Sequence, residues 1–169
     1  ASAELAERQQ RLVAGALPGL ADRFEWLSDW PRQFSGVVVA NEVLDALPVE
    51  RFRVSDNTRI RLGVGLQDRK LVFSEQPAPD WLAADIARVE RDLEQPFAQG
   101  FTSDLAPAAS AWVRELAEHV DQALILLFDY GLPRREYYAP ERDGGWLRCH
   151  FRHHAHNDPL ILPGIQDVT

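Results

Sequence analysis

The chain has 169 residues and a formal net charge of −8, with 46% hydrophobic and 26% charged residues. This composition fits one globular domain and excludes a wholly disordered or fibrous chain. The acidic balance, with no long run of basic residues, argues against a nucleic-acid partner, because phosphate contacts need a basic face.

Three further features of the sequence bear on the compartment and the extent of the chain. The single cysteine, Cys149, cannot form an intrachain disulfide, which is typical of a reducing compartment. The longest apolar run, from Ala123 to Phe128, is far shorter than the ~20 residues that span a bilayer, so we expect no membrane insertion. The chain contains no methionine and stops at Thr169 without a cap, from which we expect a fragment with both ends cut.

The first third of the chain predicts alternating helix and strand. Apolar residues at helical spacing predict a helix over residues 3–16, with Ser2 as its N-cap. Arg23 to Leu27 is a candidate short strand, and the β-branched segment from Gly36 to Ala40 predicts a buried strand. This order indicates α/β winding.

After Pro48 the periodicity changes to two. Phe52 and Val54 alternate with arginines, a turn is expected at Asp56-Asn57, and residues 60–66 and 71–73 continue as strands. Residues 49–75 therefore predict an antiparallel β-meander whose open face carries Arg59 and Arg61.

The second half predicts two helices and one strand. An apolar stripe predicts a helix over residues 80–94, and a second helix runs from Pro107 to Val120. Gln122 to Phe128 predicts a strand buried on both faces, which completes a crossover unit. Residues 132–169 predict long loops with short helical or strand pieces. We expect a single α/β domain over residues 1–169, with residues 49–106 as an inserted meander and helix subdomain.

Polar residues that directly follow a buried strand are the first candidates for chemistry, because ligands of doubly wound sheets bind there. Asn41, Glu42 and Asp45 follow the first such strand and are suited to bind an amine or guanidinium. The alternative is that Asn41 and Asp45 cap a short helix or close a turn. Asp129 and Tyr130 follow the second strand, as site residues or as part of a turn.

Four histidines lie close together near the C terminus, at positions 150, 153, 154 and 156. A zinc site is disfavoured, because the segment has no helical periodicity and no second cysteine, and Arg148 and Arg152 repel a cation. We expect no metal here. Loop histidines bonded to the backbone, or one histidine such as His150 acting as a proton acceptor, are the favoured interpretations.

Several segments, taken in order, resemble one family. Residues 40–52 read Ala-Asn-Glu-Val-Leu-Asp-Ala-Leu-Pro-Val-Glu-Arg-Phe, residues 128–131 read Phe-Asp-Tyr-Gly, and residues 163–169 read Pro-Gly-Ile-Gln-Asp-Val-Thr. Together with Tyr137-Tyr138 and Cys149-His150, they resemble motifs of the mitochondrial-dysfunction-protein-A-like methyltransferases. Asp104 departs from the glutamate expected in relatives.

The resemblance implies a partial class I methyltransferase fold, Rossmann-like, with a mostly parallel sheet and an antiparallel meander insertion. It implies S-adenosylmethionine as cofactor, with the glycine-rich cofactor loop expected before Ala1. Trp26, Leu27, Ser28 and Asp29 are then expected near the adenine and Asn41 near the methyl donor. The implied compartment is the cytoplasm in bacteria and the mitochondrial matrix in eukaryotic relatives.

The resemblance also implies catalytic roles. Glu42 and Asp45 are expected to orient a guanidinium and take up its proton, with Asp45, Asp129 and Tyr130 on the substrate side. His150 is the fifth residue expected to be catalytic. The implied activity is methylation of a protein side chain, with arginine expected, and the fragment alone is expected to be inactive. The alternative is a methyltransferase-like scaffold that holds a protein partner. An open sheet edge further predicts a homodimer.

Overall fold

The computed structural model describes residues 3–56 and 58–169, so the expected N-cap Ser2 and the turn residue Asn57 lie outside the described residues. Two structural units are present: residues 1–38 with 114–124, and residues 39–113 with 125–169. The single domain with its insertion at 49–106 stays a prediction. The elements are, in chain order, α1 (Ala3–Ala16), β1 (Phe34–Asn41), β2 (Glu50–Ser55), β3 (Thr58–Gln67), β4 (Lys70–Pro77), α2 (Asp80–Leu93), β5 (Thr102–Leu105), α3 (Pro107–His119), β6 (Val120–Phe128), α4 (Arg134–Tyr137), β7 (Cys149–Phe151), β8 (His154–His156) and β9 (Asp167–Val168).

The first unit confirms the predicted N-terminal helix and corrects the strand after it. Helix α1 is followed by a 3-10 helix at Pro18–Arg23, and residues 24–27 belong to no strand. The indole of Trp26 instead donates a hydrogen bond to Gln9 Oε1 at 3.0 Å. The strand predicted from Arg23 to Leu27 is therefore wrong. Its aromatic and apolar residues favour a strand only where a neighbouring strand supplies hydrogen bonds.

Strands β1 and β6 are hydrogen-bonded neighbours in a two-stranded parallel sheet. The other two sheets are antiparallel, so the predicted α/β class is confirmed. The predicted burial of both strands is wrong, however, because Val39 is 65% exposed and Phe128 is 56% exposed. An apolar run predicts a strand, but burial also requires something to pack on its faces.

The predicted meander is confirmed as part of a four-stranded antiparallel sheet in the order β4-β3-β2-β5. The predicted stripe of α2 is buried, and it forms one core with residues of β2 and of the C-terminal half. The core residues are Phe52, Val54, Leu82, Ile86, Val89, Leu93, Phe101 and Tyr138.

Arg59 and Arg61 lie on the face of the meander that carries core residues, so the predicted open face is wrong for this pair. Phe52 and Val54, both in the core, are the direct cross-strand partners of Arg61 and Arg59, and partners of this kind share one face of a sheet. Arg59 donates to both carboxylate oxygens of Glu90 on α2 at 2.7 Å. Strand alternation alone could not reveal this ion pair, which depends on where α2 packs.

The opposite face of the meander carries exposed apolar side chains. Val64 and Phe73 are cross-strand partners and are 57% and 43% exposed, and Leu66 lies two residues beyond Val64 on the same face. We refer to Val64, Leu66 and Phe73 as the apolar meander face.

The C-terminal part has the short pieces that were predicted. Helix α4 and a 3-10 helix at Pro140–Arg142 precede a small antiparallel sheet in the order β8-β7-β9. Within residues 3–56 and 58–169, no helix is long and apolar enough to cross a membrane.

Candidate functional site

A cavity of about 860 Å³ opens where β1 and β6 end. The backbone N–H of Glu42, directly after β1, donates to the carbonyl of Phe128, the last residue of β6, at 2.8 Å. The residues after both strands line this cavity, together with parts of the C-terminal segment. All five predicted catalytic residues line it: Glu42, Asp45, Asp129, Tyr130 and His150.

Glu42 is held in an unusual backbone conformation. Its φ angle is +50°, in the left-handed region that costs a non-glycine residue roughly 1–2 kcal/mol. Strained residues of this kind are concentrated at ligand and active sites. The left-handed turn begins directly after β1 and leads the chain into the loop that carries Asp45.

Asp129 organises the loop after β1. Its Oδ2 accepts hydrogen bonds from the N–H groups of Leu44 at 2.8 Å and Asp45 at 3.2 Å, and its Oδ1 accepts one from Tyr130 N–H at 2.8 Å. The two loops that carry the predicted site residues are therefore tied together by one carboxylate. Residues 42–49 form no helix, so the alternative of a short capped helix is wrong. The other alternative, a turn, is present, because the N–H of Leu47 donates to the carbonyl of Leu44 at 3.2 Å.

One carboxylate oxygen of Asp45, Oδ1, is shielded from solvent and has no hydrogen-bond partner among the residues that the structure describes. Partial burial raises the pKa of Asp45 above its ordinary value of 3.8, and the nearby charges of Asp129, Glu42 and Asp167 raise it further, while a backbone hydrogen bond from Ala46 opposes the rise. A shielded acceptor without a donor is costly, so this oxygen is suited to a ligand that brings a donor or a positive charge.

His150 faces a carboxylate that the sequence did not single out as a site residue. His150 on β7 is the direct cross-strand partner of Asp167 on β9, and both line the cavity. Cross-strand partners have their side chains on the same face of a sheet. The only sequence signal for Asp167 was its place in the resembling segment at residues 163–169.

Asp104 is the fifth carboxylate of the cavity, and it is only 1% exposed. Burial raises the pKa of Asp104, while the Arg51 guanidinium and the backbone N–H groups of Trp146 and Leu147 oppose that rise. Burial, with the charge of Asp104, also raises the pKa of Tyr137 to about 12. The sequence identified Asp104 only as a departure from the family pattern.

The cavity therefore combines acidic and aromatic side chains. Five carboxylates line it, with aromatic rings and apolar residues between them, and the aromatic members are Tyr130, Tyr137 and Trp146. Acidic and aromatic groups together favour an organic cation by ion pairing and cation–π attraction. No group of three or more His, Cys, Asp or Glu residues in the described part of the chain is arranged to hold a metal ion.

The residues expected near the cofactor are not among those that line the cavity. Trp26, Leu27, Ser28 and Asp29 belong to the first structural unit, where Ser28 Oγ donates to Asp29 Oδ2 at 3.0 Å. Asn41 is the last residue of β1 and is exposed. Their assignment to the cofactor stays a prediction.

Comparison with known proteins decides the family. All of residues 1–169 match the model of a family described as "Putative S-adenosyl-L-methionine-dependent methyltransferase". The chain belongs to this methyltransferase family. The predicted methyltransferase family is thereby confirmed, while the narrower assignment to the mitochondrial-dysfunction-protein-A-like group stays a prediction.

Two crystal structures of Burkholderia thailandensis proteins resemble this methyltransferase-family chain. One is a "likely methyl transferase" bound to S-adenosyl-homocysteine, with 38% identity and a TM-score of 0.85 over 99% of this chain. The other is an uncharacterized protein of the same superfamily, with 37% identity and a TM-score of 0.85 over 98% of this chain. The chain spans 42% and 43% of the lengths of these proteins. Among curated proteins, none matches the chain.

Proposed function

We propose that the chain supplies the acceptor-binding part of an S-adenosylmethionine-dependent methyltransferase whose substrate is a cationic protein side chain, with arginine as the acceptor. The observation that carries this proposal is the acidic cavity at the ends of β1 and β6, in which Asp45 Oδ1 is shielded and without a donor. The family supports methyl transfer, and the cavity supports the class of acceptor.

The carboxylates would act first as a binding site. A guanidinium offers a planar fork of N–H donors that matches carboxylate oxygens, and such charge-assisted bonds are about twice as strong as neutral ones. Asp129 is occupied by backbone donors, and Asp104 by Arg51 and the Trp146 N–H. Asp167 lies opposite His150, so Glu42 and Asp45 are the carboxylates left to orient the cation. Orienting the attacking nitrogen in this way favours the reaction as well as binding, because methyl transfer requires the nitrogen to be aligned with the methyl group.

The same residues would then handle the proton. When bound, S-adenosylmethionine supplies a methyl group on a positively charged sulfur. The new N–C bond forms as the S–C bond breaks, and the guanidinium nitrogen must lose one proton. The raised pKa of Asp45 makes it a better acceptor for that proton than an ordinary aspartate. His150, paired across the strands with Asp167, is the second acceptor within the cavity.

Cofactor binding is proposed from the family and from the related protein bound to S-adenosyl-homocysteine. Asn41 and Trp26 to Asp29 stay the residues that we expect to contact S-adenosylmethionine. Because the chain spans 42% of that protein, we propose that further cofactor contacts come from outside these 169 residues. The chain alone should then bind S-adenosyl-homocysteine weakly, which calorimetry against the Burkholderia protein as positive control would measure.

The acceptor is tested by a matched pair of ligands. N-acetyl-arginine amide and N-acetyl-citrulline amide have nearly the same shape, but only arginine carries the positive charge. Calorimetry should show arginine binding at least about tenfold tighter, and Asp45→Asn should remove most of the difference. Asp85→Asn, which breaks an ion pair with Arg88 on α2, serves as the control. Equal affinity for both ligands would contradict the proposal.

A second candidate function is a scaffold that holds a protein partner without catalysis. The apolar meander face favours it, because exposed apolar patches often mark interaction sites. A scaffold of this kind has no reason to distinguish arginine from citrulline in the cavity. The same ligand pair therefore separates the two functions.

A further inference from the structure

The segment from Gly144 to Leu147 rests directly on the side chain of Asp104. Asp104 Oδ2 accepts a hydrogen bond from the N–H of Trp146 at 3.0 Å. Asp104 is only 1% exposed, so its carboxylate is shielded from solvent. A carboxylate in such a place is costly unless it is hydrogen-bonded. The carboxylate thus fixes the backbone of a segment whose side chains, Trp146 and Leu147, line the cavity.

Gly145 shows how close this contact is. A Cβ atom at this position would lie 2.0 Å from Asp104 Oδ2, well inside any real contact distance. The φ angle of Gly145 is +78°, a conformation that glycine adopts without strain. Glycine is therefore required at position 145 both by the backbone and by the carboxylate beneath it.

Arg51 completes the support of this segment. Arg51 is the cross-strand partner of Asp104, and its Nη1 donates to Asp104 Oδ1 at 3.3 Å. Its Nη2 donates to the carbonyl oxygen of Gly144. One guanidinium therefore binds both the carboxylate and the backbone that the carboxylate holds.

The aromatic wall of the cavity is anchored at the same place. Trp146 Nε1 donates to the carbonyl of Tyr137 at 3.3 Å, and the Tyr138 hydroxyl donates to the carbonyl of Asp104 at 3.1 Å. The Arg142 guanidinium lies 4.1 Å from the centre of the Trp146 ring. These contacts hold the indole in place as long as the backbone N–H of Trp146 remains bound to Asp104.

We propose that Asp104 is a positioning residue of the acceptor site: its carboxylate, held by Arg51, fixes the Gly144–Leu147 segment and thereby sets Trp146 as one wall of the cavity. The proposal rests on the proposed function, because it takes the cavity as the place where the cationic side chain binds. Asp104 acts through Trp146, so its removal should disturb the acceptor without altering the cation-binding carboxylates.

A double-mutant cycle on binding of N-acetyl-arginine amide tests this coupling. Asp104→Asn keeps the shape, but its single oxygen cannot serve both Arg51 and the Trp146 N–H. Asp104→Asn and Trp146→Ala should each weaken binding roughly tenfold, and the double variant should be little weaker than either alone, since coupled residues are not additive. Additive losses, or wild-type affinity in Asp104→Asn, would overturn the proposal.

Amide hydrogen exchange gives a readout that does not need the ligand. In Asp104→Asn the N–H groups of Trp146 and Leu147 should exchange faster by about tenfold or more, while α2 keeps its protection. Unchanged exchange at Trp146 would overturn the proposal. Gly145→Ala should give the same local loss, and it replaces Asp104→Asn if that variant does not fold. The control is again Asp85→Asn, which should leave both readouts unchanged.

The two experiments separate failure of this inference from failure of the proposed function. If the wild-type protein binds arginine and citrulline equally, the proposed acceptor is wrong, and hydrogen exchange alone decides whether Asp104 holds the segment. If arginine is preferred and the cycle is additive, the acceptor stands and the positioning role is wrong.

Discussion

The meander with α2 and the β1–β6 pair were both predicted from the placement of apolar residues, yet they lie in opposite environments. The meander and α2 were predicted from apolar periodicity, whereas β1 and β6 were predicted from continuous apolar runs, and the predicted strands are present in both regions. Leu82 and Ile86 of α2 are 0% exposed, whereas Leu124 of β6 is 58% exposed. Apolar patterns therefore predict which residues are suited to a core, and burial also depends on the elements packed against them.

The largest expected effect is a loss of stability when a core residue of α2 is truncated. Leu82→Ala should lower the free energy of unfolding by about 2–5 kcal/mol, because it leaves a cavity in the packed core. Leu124→Ala, the same change at an exposed strand position, should change it by less than about 0.5 kcal/mol. Urea denaturation of both variants measures the contrast, and equal losses would show that the exposed strand is covered in solution.

The second largest effect should come from breaking the ion pair between Arg59 of the meander and Glu90 of α2. Glu90 accepts from Arg59 and from the backbone N–H of Phe97 at 2.8 Å, and both side chains of the ion pair are mostly buried. Glu90→Gln should cost about 1–3 kcal/mol of unfolding free energy, because a buried guanidinium loses its charged partner. Arg88→Gln, which removes an exposed ion pair from the same helix, is the control. If Glu90→Gln lowers the free energy of unfolding no more than Arg88→Gln does, the Arg59–Glu90 ion pair does not hold α2 on the meander.

A smaller effect should appear in the pH dependence of stability. The pKa of Asp45 is raised in the folded protein, so the folded state holds that proton more tightly than the unfolded state. The stabilisation from this proton is complete below the ordinary value of 3.8 and is lost as pH rises through the folded pKa. Asp45→Asn should remove this fall with pH, and unfolding curves across that window would show it. A variant with the wild-type slope would contradict the assignment.

The smallest effect concerns association of the chain. The exposed apolar residues of β1 and β6 favour a homodimer, since open strands and apolar faces tend to pair. Light scattering over a range of protein concentrations should show growth in mean mass, reduced by Val39→Lys at an exposed position of β1. A monomer at the highest concentration would count against the dimer.

Whether a feature could be predicted from the sequence depends on how far apart in the chain the interacting residues lie. The α2 stripe and the meander strands are set by neighbours within a few residues, and both were predicted. The short strand β5 lacks an apolar alternation and was missed. The role of Asp104 depends on Gly145 and Arg51, which are distant in the chain, so no local pattern could have revealed it.

The candidate site divides in the same way. Glu42, Asp45, Asp129 and Tyr130 were predicted because each directly follows an apolar strand, and the fold brings them to one cavity. The backbone bonds of Asp129 and the pairing of His150 with Asp167 required the three-dimensional arrangement.

The most direct test of the acceptor site is the titration of the Asp45 carboxyl by carbon-13 NMR, with N-acetyl-arginine amide and with N-acetyl-citrulline amide. We expect the pKa of Asp45 to lie above 3.8 in the free protein, to be lowered by the arginine ligand and to be unchanged by citrulline, because a nearby positive charge favours the carboxylate. An Asp45 pKa that does not respond to the arginine ligand would contradict the proposed cation site.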